Sequence, residues 1–314
     1  MDVLMSVPMP PLVVDGIAAK MNLHRLWELS EAELAVLAPK IRGMAAAYGK
    51  PIDSALMSRF PKLEIVSSFG VGYDHVDAKW AGAHKIIVTN TPDVLNEEVA
   101  DTAMALLLNT VRELPRAERY LRAGKWREAN FPLTATLRGR TMGIFGLGRI
   151  GKAIARRAET FGLKIGYYGR NPQADVAYLY YPTLQALAEA VDVLMVIAPG
   201  GPATKNMVNA EVLAALGPNG ILINVARGSV VDEVALIEAL QKGVILGAGL
   251  DVFADEPNVP QALLEMEHVV LLPHVGSASQ HTRNAMGQLV VDNLAAWAAG
   301  KGPLTPVAET PWTG

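Results

Sequence analysis

Gly146-Leu-Gly148-Arg-Ile-Gly151 has glycines spaced to hold a dinucleotide. The run follows an apolar segment, Thr141–Phe145, and opens a stretch with helical periodicity, which is the context a GxGxxG needs. Gly146 makes the tight turn, Gly148 lets the backbone approach a pyrophosphate, and Gly151 lets helix and strand pack closely. Free N–H groups at the helix start then face the phosphates. The alternative is a glycine-rich turn without a ligand. Three other segments place polar side chains just after apolar runs: Asn224-Val-Ala-Arg227, Asp251 with Glu256-Pro257, and Pro273-His274. Ligands of open α/β sheets bind at the carboxyl ends of strands, where such residues collect. A histidine exchanges protons near neutral pH. A carboxylate beside it favours the imidazolium. An arginine grips a carboxylate bidentately. Taken singly, Arg227 reads as a surface ion pair, Glu256 as a turn acid and His274 as a satisfied strand-end histidine. Together they form an acid–base set.

The adenosine end discriminates between cofactors. An acid is expected about 20 residues beyond the glycines, on the ribose hydroxyls. Here the second apolar run, Lys164–Tyr168, leads into Gly169-Arg170-Asn171, and the first acid is Asp175. A guanidinium at Arg170 pairs with a 2′-phosphate that a carboxylate would repel. The reading is NADPH, with NADH kept as a second cofactor. Alternatively, Arg170 is a solvated turn residue.

These residues need strands and crossover helices to position them. Apolar runs at 63–67, 86–89, 141–145, 164–168, 193–198, 221–225, 246–252 and 269–272 read as strands buried on both faces. Helices are expected from about Glu97 with Asn96 as N-cap, over 148–161, over 232–241 and over 280–297. Leu121–Arg140 reads as an extended connection. The fold class is α/β. At roughly 100–200 residues per domain, 314 residues predict two domains.

Composition excludes several classes. The chain is 51% hydrophobic and 19% charged, with a mean hydropathy of +0.23, too apolar for disorder. A net charge of −3 without a basic block argues against nucleic acid and membrane surfaces. No cysteine is present, which removes disulfide, zinc-finger, iron–sulfur and thiol chemistry; no metal site is expected. No apolar stretch is long enough to span a bilayer and no secretory signal is read, so a soluble cytoplasmic protein is expected.

With these motifs in order, the chain resembles the D-isomer-specific 2-hydroxyacid dehydrogenase family. The resemblance rests on Gly146–Gly151, Ala226-Arg227-Gly228, Gly249-Leu-Asp251-Val-Phe with Glu256-Pro257, and Pro273-His274-Val-Gly276-Ser277. Upstream, Phe69-Gly70-Val71-Gly72-Tyr73-Asp74 and Asn90-Thr91-Pro92 add to it. The Gly169-Arg170-Asn171 stretch looks most like NADPH-dependent glyoxylate/hydroxypyruvate reductases. The resemblance implies His274 as acid/base, Glu256 as its partner and Arg227 as binder of the substrate carboxylate and carbonyl. It implies Val71 and Gly72 as backbone donors to the carboxylate. It implies Arg149 and Ile150 at the pyrophosphate, Ala198 and Pro199 in the loop beside the adenosine, and Thr204 at a cofactor-loop position. Val225 and Ala226 fall at the nicotinamide side and Asp251 near the nicotinamide carboxamide, and His274 and Gly276 are further cofactor-binding candidates. Paired glycines in Ala198-Pro-Gly-Gly-Pro-Ala-Thr204 depart from the commoner pattern.

The implied architecture is two Rossmann-like, doubly wound parallel-sheet domains with a cleft between them. Residues 1–98 plus 281–314 would form a discontinuous substrate domain and 99–280 the NAD(P) domain. A homodimer is implied, and the substrate is a small 2-keto acid such as glyoxylate or hydroxypyruvate. Met44, Tyr48 and Tyr73 are candidates for the pocket wall; Trp126 and Phe131 are candidates near a dimer partner. Each reads equally as core or interface packing. The rivals are an NAD-dependent D-2-hydroxyacid dehydrogenase with another substrate and a non-catalytic dinucleotide sensor. No GxSxG or HExxH supports a hydrolase.

Overall fold

The computed structural model describes residues 1–312 and divides into two compact units, Met1–Leu95 with Ser279–Gly314, and Asn96–Ala278. The first unit runs β1 (Asp2–Met5), α1 (Pro11–Ala18), β2 (Asn22–Arg25), α2 (Glu31–Leu37), β3 (Ile41–Ala47), α3 (Ser54–Met57), β4 (Ile65–Phe69), α4 (Ala78–Ala83) and β5 (Ile87–Thr89). Its sheet has the order β2-β1-β3-β4-β5, with every pair parallel. This is the 2-1-3-4-5 doubly wound order. The second unit contains α5 (Asn96–Val111), α6 (Leu114–Arg122), β6 (Thr141–Phe145), α7 (Arg149–Thr160), β7 (Lys164–Tyr168), β8 (Leu179–Tyr180), α8 (Leu184–Glu189) and β9 (Val193–Val196). It continues with α9 (Ala210–Leu216), β10 (Ile221–Asn224), α10 (Glu233–Gln241), β11 (Gly247–Leu250), α11 (Gln261–Glu265) and β12 (Val269–Leu271). Helix α12 (Gln280–Ala298) returns to the first unit.

The second sheet has the order β12-β11-β10-β9-β6-β7-β8, again all parallel. It is the 3-2-1-4-5-6 winding with one strand added, and its order reverses between β6 and β9. The strands β9 and β10 are buried throughout, as expected for strands covered on both faces. Each unit has its own hydrophobic core. One is built around Leu4, Met44, Val66 and Val88, the other around Phe145, Leu194, Leu222 and Ala248.

Several elements depart from the sequence reading. Strands β1, β2, β3 and β8 were not expected. Strand β4 covers Ile65–Phe69 rather than 63–67, because the chain up to Leu63 is still turning: the Leu63 N–H donates to Phe60. Residues 121–122 are not extended; they close α6, which starts at Leu114 and has a proline in its first turn. A further short 3-10 turn covers Lys125–Arg127. Asn96 lies inside α5 rather than capping it. Among the described residues, no helix is long and apolar enough to cross a membrane.

Candidate active site

The second unit carries the glycine turn at the order-reversal point of its sheet. Gly146 has φ 104°, and a Cβ there would lie 2.7 Å from the Ala198 nitrogen. Only glycine permits both the turn and this contact between the ends of β6 and β9. A Cβ on Gly151 would lie 2.4 Å from the Gly146 carbonyl oxygen, so helix α7 sits directly on the turn. A Cβ on Gly148 would meet no atom within 4 Å. The middle glycine therefore borders open space at the N-terminus of α7, where Gly148 is the N-cap and Arg149 and Ile150 form the first turn. These three environments fit a dinucleotide pyrophosphate.

In the loop after β9, Ala198 is buried and the Thr204 hydroxyl donates to the Pro199 carbonyl at 2.6 Å, closing the turn. The paired glycines lie within that closed loop, and Gly201 has φ 127°. Arg170 follows β7 in exposed position and has no hydrogen-bond or ion-pair partner among the described residues. Asp175, the first acid, is bound instead by Lys152 at 2.6 Å. That contact holds its carboxyl below the usual aspartate range.

The acid–base set assembles at the ends of β10, β11 and β12. His274 Nδ1 lies 2.7 Å from Glu256 Oε2. The second oxygen of Glu256 accepts the Phe253 N–H at 3.0 Å. Burial pushes the Glu256 carboxyl up, but the His274 contact and the Phe253 N–H outweigh it, and it ends below its ordinary value. An ionised carboxylate has no proton to give, so His274 Nδ1–H is the donor in this pair.

His274 itself has φ 51°, the left-handed region uncommon for residues with a side chain. Asp251 holds it there. Its carbonyl accepts the His274 N–H at 2.9 Å, and its two carboxylate oxygens accept the Val275 and Gly276 N–H groups at 2.7 and 2.8 Å. Burial raises the Asp251 carboxyl above its ordinary value despite these two backbone donors. Gly276 is required by this clamp, since a Cβ there would lie 2.9 Å from the Asp251 carboxylate. From the other side, Thr102 donates to the Gly276 carbonyl at 3.2 Å.

Arg227 follows the buried segment Val225-Ala226, and its Nη1 donates to the Ala226 carbonyl at 2.8 Å. Its loop is fixed by a residue that the sequence reading quoted but gave no role. Asn224 is 1% exposed; its amide accepts the Ala226 N–H at 3.1 Å and donates to the Arg227 carbonyl at 3.0 Å. A buried amide at a strand end must find partners, and that was the available signal. Gly228 then presses on the Phe253 main chain, which leads to Glu256.

In the first unit, the loop after β4 carries Val71 and Gly72. Gly70 has φ 148°; its N–H donates to the Thr91 hydroxyl and its carbonyl accepts the Thr91 N–H. Asn90 donates to the Val71 carbonyl at 2.9 Å. The Val71 and Gly72 N–H groups donate to no atom of the described residues. Two adjacent N–H groups at a strand end suit an anion. Met44 belongs to the core, fully buried, and cannot line a pocket. Tyr73 packs on the same core and donates to Glu309 at 2.9 Å; Tyr48 is 44% exposed. Phe131 packs on Arg116 and Tyr120, while Trp126 is exposed.

A doubly wound sheet with this glycine turn, beside a histidine–carboxylate pair and an arginine, defines a dinucleotide-binding oxidoreductase architecture. A family model described as the D-isomer specific 2-hydroxyacid dehydrogenase, NAD binding domain, matches residues 104–276. The chain belongs to this family. It is 48% identical over 307 residues to a glyoxylate/hydroxypyruvate reductase A of Arabidopsis thaliana, covering 97% of this chain and 98% of that one. It is 45% identical over 307 residues to a hydroxyphenylpyruvate reductase of Plectranthus scutellarioides, covering 97% and 98%. Among solved structures, an NADPH-dependent glyoxylate/hydroxypyruvate reductase from Sinorhizobium meliloti, in complex with NADP and malonate, matches with a TM-score of 0.93. That chain is 55% identical, and the match covers 99% of this chain and 98% of that one.

Proposed function

We propose that the protein reduces a small 2-keto acid, such as glyoxylate or hydroxypyruvate, to the 2-hydroxy acid, with NADPH as preferred reductant. The observation that carries this reading is the 2.7 Å Glu256–His274 pair, at the same end of one parallel sheet as Arg227 and the glycine turn. The relatives named above support the substrate class, and the solved relative holds NADP and malonate, a small carboxylate.

The nicotinamide, when bound, supplies hydride to the substrate's C2. Glu256 orients His274 through Nδ1, and Nε2 delivers a proton to the ketone oxygen as the C=O becomes an alcohol. Arg227 holds the substrate carboxylate and stabilises charge developing on that oxygen. Asp251 and Gly276 hold the histidine in place. The Val71 and Gly72 amides are assigned as further carboxylate donors. In this reading the second unit binds cofactor and the first binds substrate.

A cytoplasmic homodimer completes the reading. Leu121, Trp126 and Leu133 are large, exposed and apolar, concentrated in one segment of the cofactor unit, as an interface would require. Elution volume with light scattering tests the dimer.

The decisive experiment is a matrix of initial rates for glyoxylate, hydroxypyruvate, pyruvate and phenylpyruvate with NADPH and NADH. Preference for NADPH with the first two is expected. Turnover with NADH on other keto acids would move the assignment elsewhere in the family. NADPH binding without turnover on any substrate would make the protein a sensor.

A further inference from the structure

Six residues, 169–174, lie between β7 and the first acid, Asp175, and three contacts fasten this stretch. The Tyr180 hydroxyl donates to the Gly169 carbonyl at 3.4 Å. The Gln173 N–H donates to the Tyr167 hydroxyl at 2.6 Å, and Tyr167 is 1% exposed, braced by Tyr180 at 5.4 Å between ring centroids. The Gln173 side chain reaches back to the glycine turn, its Nε2 donating to the Leu147 carbonyl at 2.7 Å. Between the fastened ends stand Arg170, Asn171 and Pro172, all exposed.

Leu147 is the residue between Gly146 and Gly148. Its carbonyl therefore belongs to the turn that faces a pyrophosphate, while Arg170 belongs to the loop that faces the adenine ribose. Gln173 is the side chain that joins the two. The nearest acid downstream, Asp175, is neutralised by Lys152, which rises from α7 just behind the turn. The loop thus offers an exposed guanidinium that pairs with no acid among the described residues.

We propose that Gln173 is a positioning residue for cofactor choice: a strut that sets the distance from the glycine turn to the Arg170 loop and so aligns Arg170 with a 2′-phosphate. The proposal rests on the NADPH reading. A pyrophosphate bound at the turn and a phosphate on the 2′ oxygen are separated by a fixed length of nucleotide. Selection for the second phosphate then depends on how rigidly the two loops are spaced. A cofactor without the 2′-phosphate makes no such demand.

The test uses the full chain with NADPH and NADH, which differ only in the 2′-phosphate, as calorimetric probes. Wild type should bind NADPH more tightly. In Gln173→Met, which keeps the length and loses the donor, the affinity ratio of NADPH to NADH should fall about three- to tenfold, the range set by the net worth of one hydrogen bond. Gln173→Ala should fall at least as far. Should the alanine variant fail to fold, the methionine variant decides, because its volume is conserved. A wild type without preference overturns the NADPH reading, and the strut with it. A wild-type preference that survives unchanged in the variants, or an equal loss for both nucleotides, overturns the strut alone.

Discussion

Gly228 lies flat against the main chain at Phe253: a Cβ built on it would sit 1.8 Å from the Phe253 carbonyl carbon. The loop that carries Arg227 and the loop that leads to Glu256 therefore touch backbone to backbone. Gly228→Ala must separate them. We expect a loss of stability of about 1–3 kcal/mol or more from overpacking, together with a fall in kcat, because Arg227 and Glu256 no longer share one frame. Thermal unfolding and steady-state rates check this; a variant with wild-type Tm and kcat removes the argument.

His274→Ala should lose about 10²–10⁴-fold in kcat, the usual worth of a positioned acid–base group. The glycine turn is untouched, so NADPH should still bind. Nucleotide fluorescence and turnover measured on one preparation separate the two effects. Retained turnover would take the proton-transfer role from His274.

Asp251→Asn places an amide where two backbone N–H groups need acceptors. One of them must go unsatisfied, at a cost of about 1–3 kcal/mol. The left-handed His274 keeps its N–H bond to the main-chain carbonyl at position 251 but loses part of the side-chain clamp on the residues that follow it, so kcat should fall with little change in nucleotide affinity. A variant impaired only in nucleotide binding would show that Asp251 acts on the cofactor rather than on the histidine loop.

The pH dependence of stability follows from Glu256. Its folded-state value lies below its ordinary 4.5. A depressed carboxyl stabilises the fold above the unfolded value, and that contribution disappears as pH falls through the folded value. The stability gap between wild type and Glu256→Gln should be full near neutrality and close in acid. Asp251 acts in the opposite sense: its raised carboxyl disfavours the fold above its folded value, and the penalty is relieved as pH falls. Denaturant titrations of both variants across acidic pH should show gaps of opposite trend. Parallel curves would show that neither carboxyl titrates differently on folding.

Arg170→Ala should raise the KM for NADPH about tenfold or more, as for a lost charge-assisted hydrogen bond, while the KM for NADH moves by less than about twofold. Equal effects on both cofactors would mean that Arg170 does not read the 2′-phosphate.

Much of the second unit was readable because its signals are local. The glycine turn, the runs that became β6, β7, β9, β10 and β12, and helix α7 each declare themselves within a dozen residues. The polar residues Arg227, Glu256 and His274 stood out by their positions after apolar runs. The first unit was harder. Strand β1 has four residues, and β3, Ile-Arg-Gly-Met-Ala-Ala-Ala, is poor in β-branched side chains, so neither shows a strand signature. Helix α6 is strongly charged and carries a proline, which is tolerated in a first turn.

Residue types and their order along the chain were enough to specify a glycine turn after a strand, three polar residues placed after apolar runs and the absence of an acid directly after β7. Those properties are covalent and local. The partners were not. That both oxygens of Asp251 serve the histidine loop, that Asn224 ties down Arg227, that Gln173 reaches Leu147 and that Met44 is core depend on which strand lies beside which. Strand order in a parallel sheet is set by crossover packing between residues tens of positions apart. Hydrogen bonds there are satisfied only after the loops at neighbouring strand ends have met.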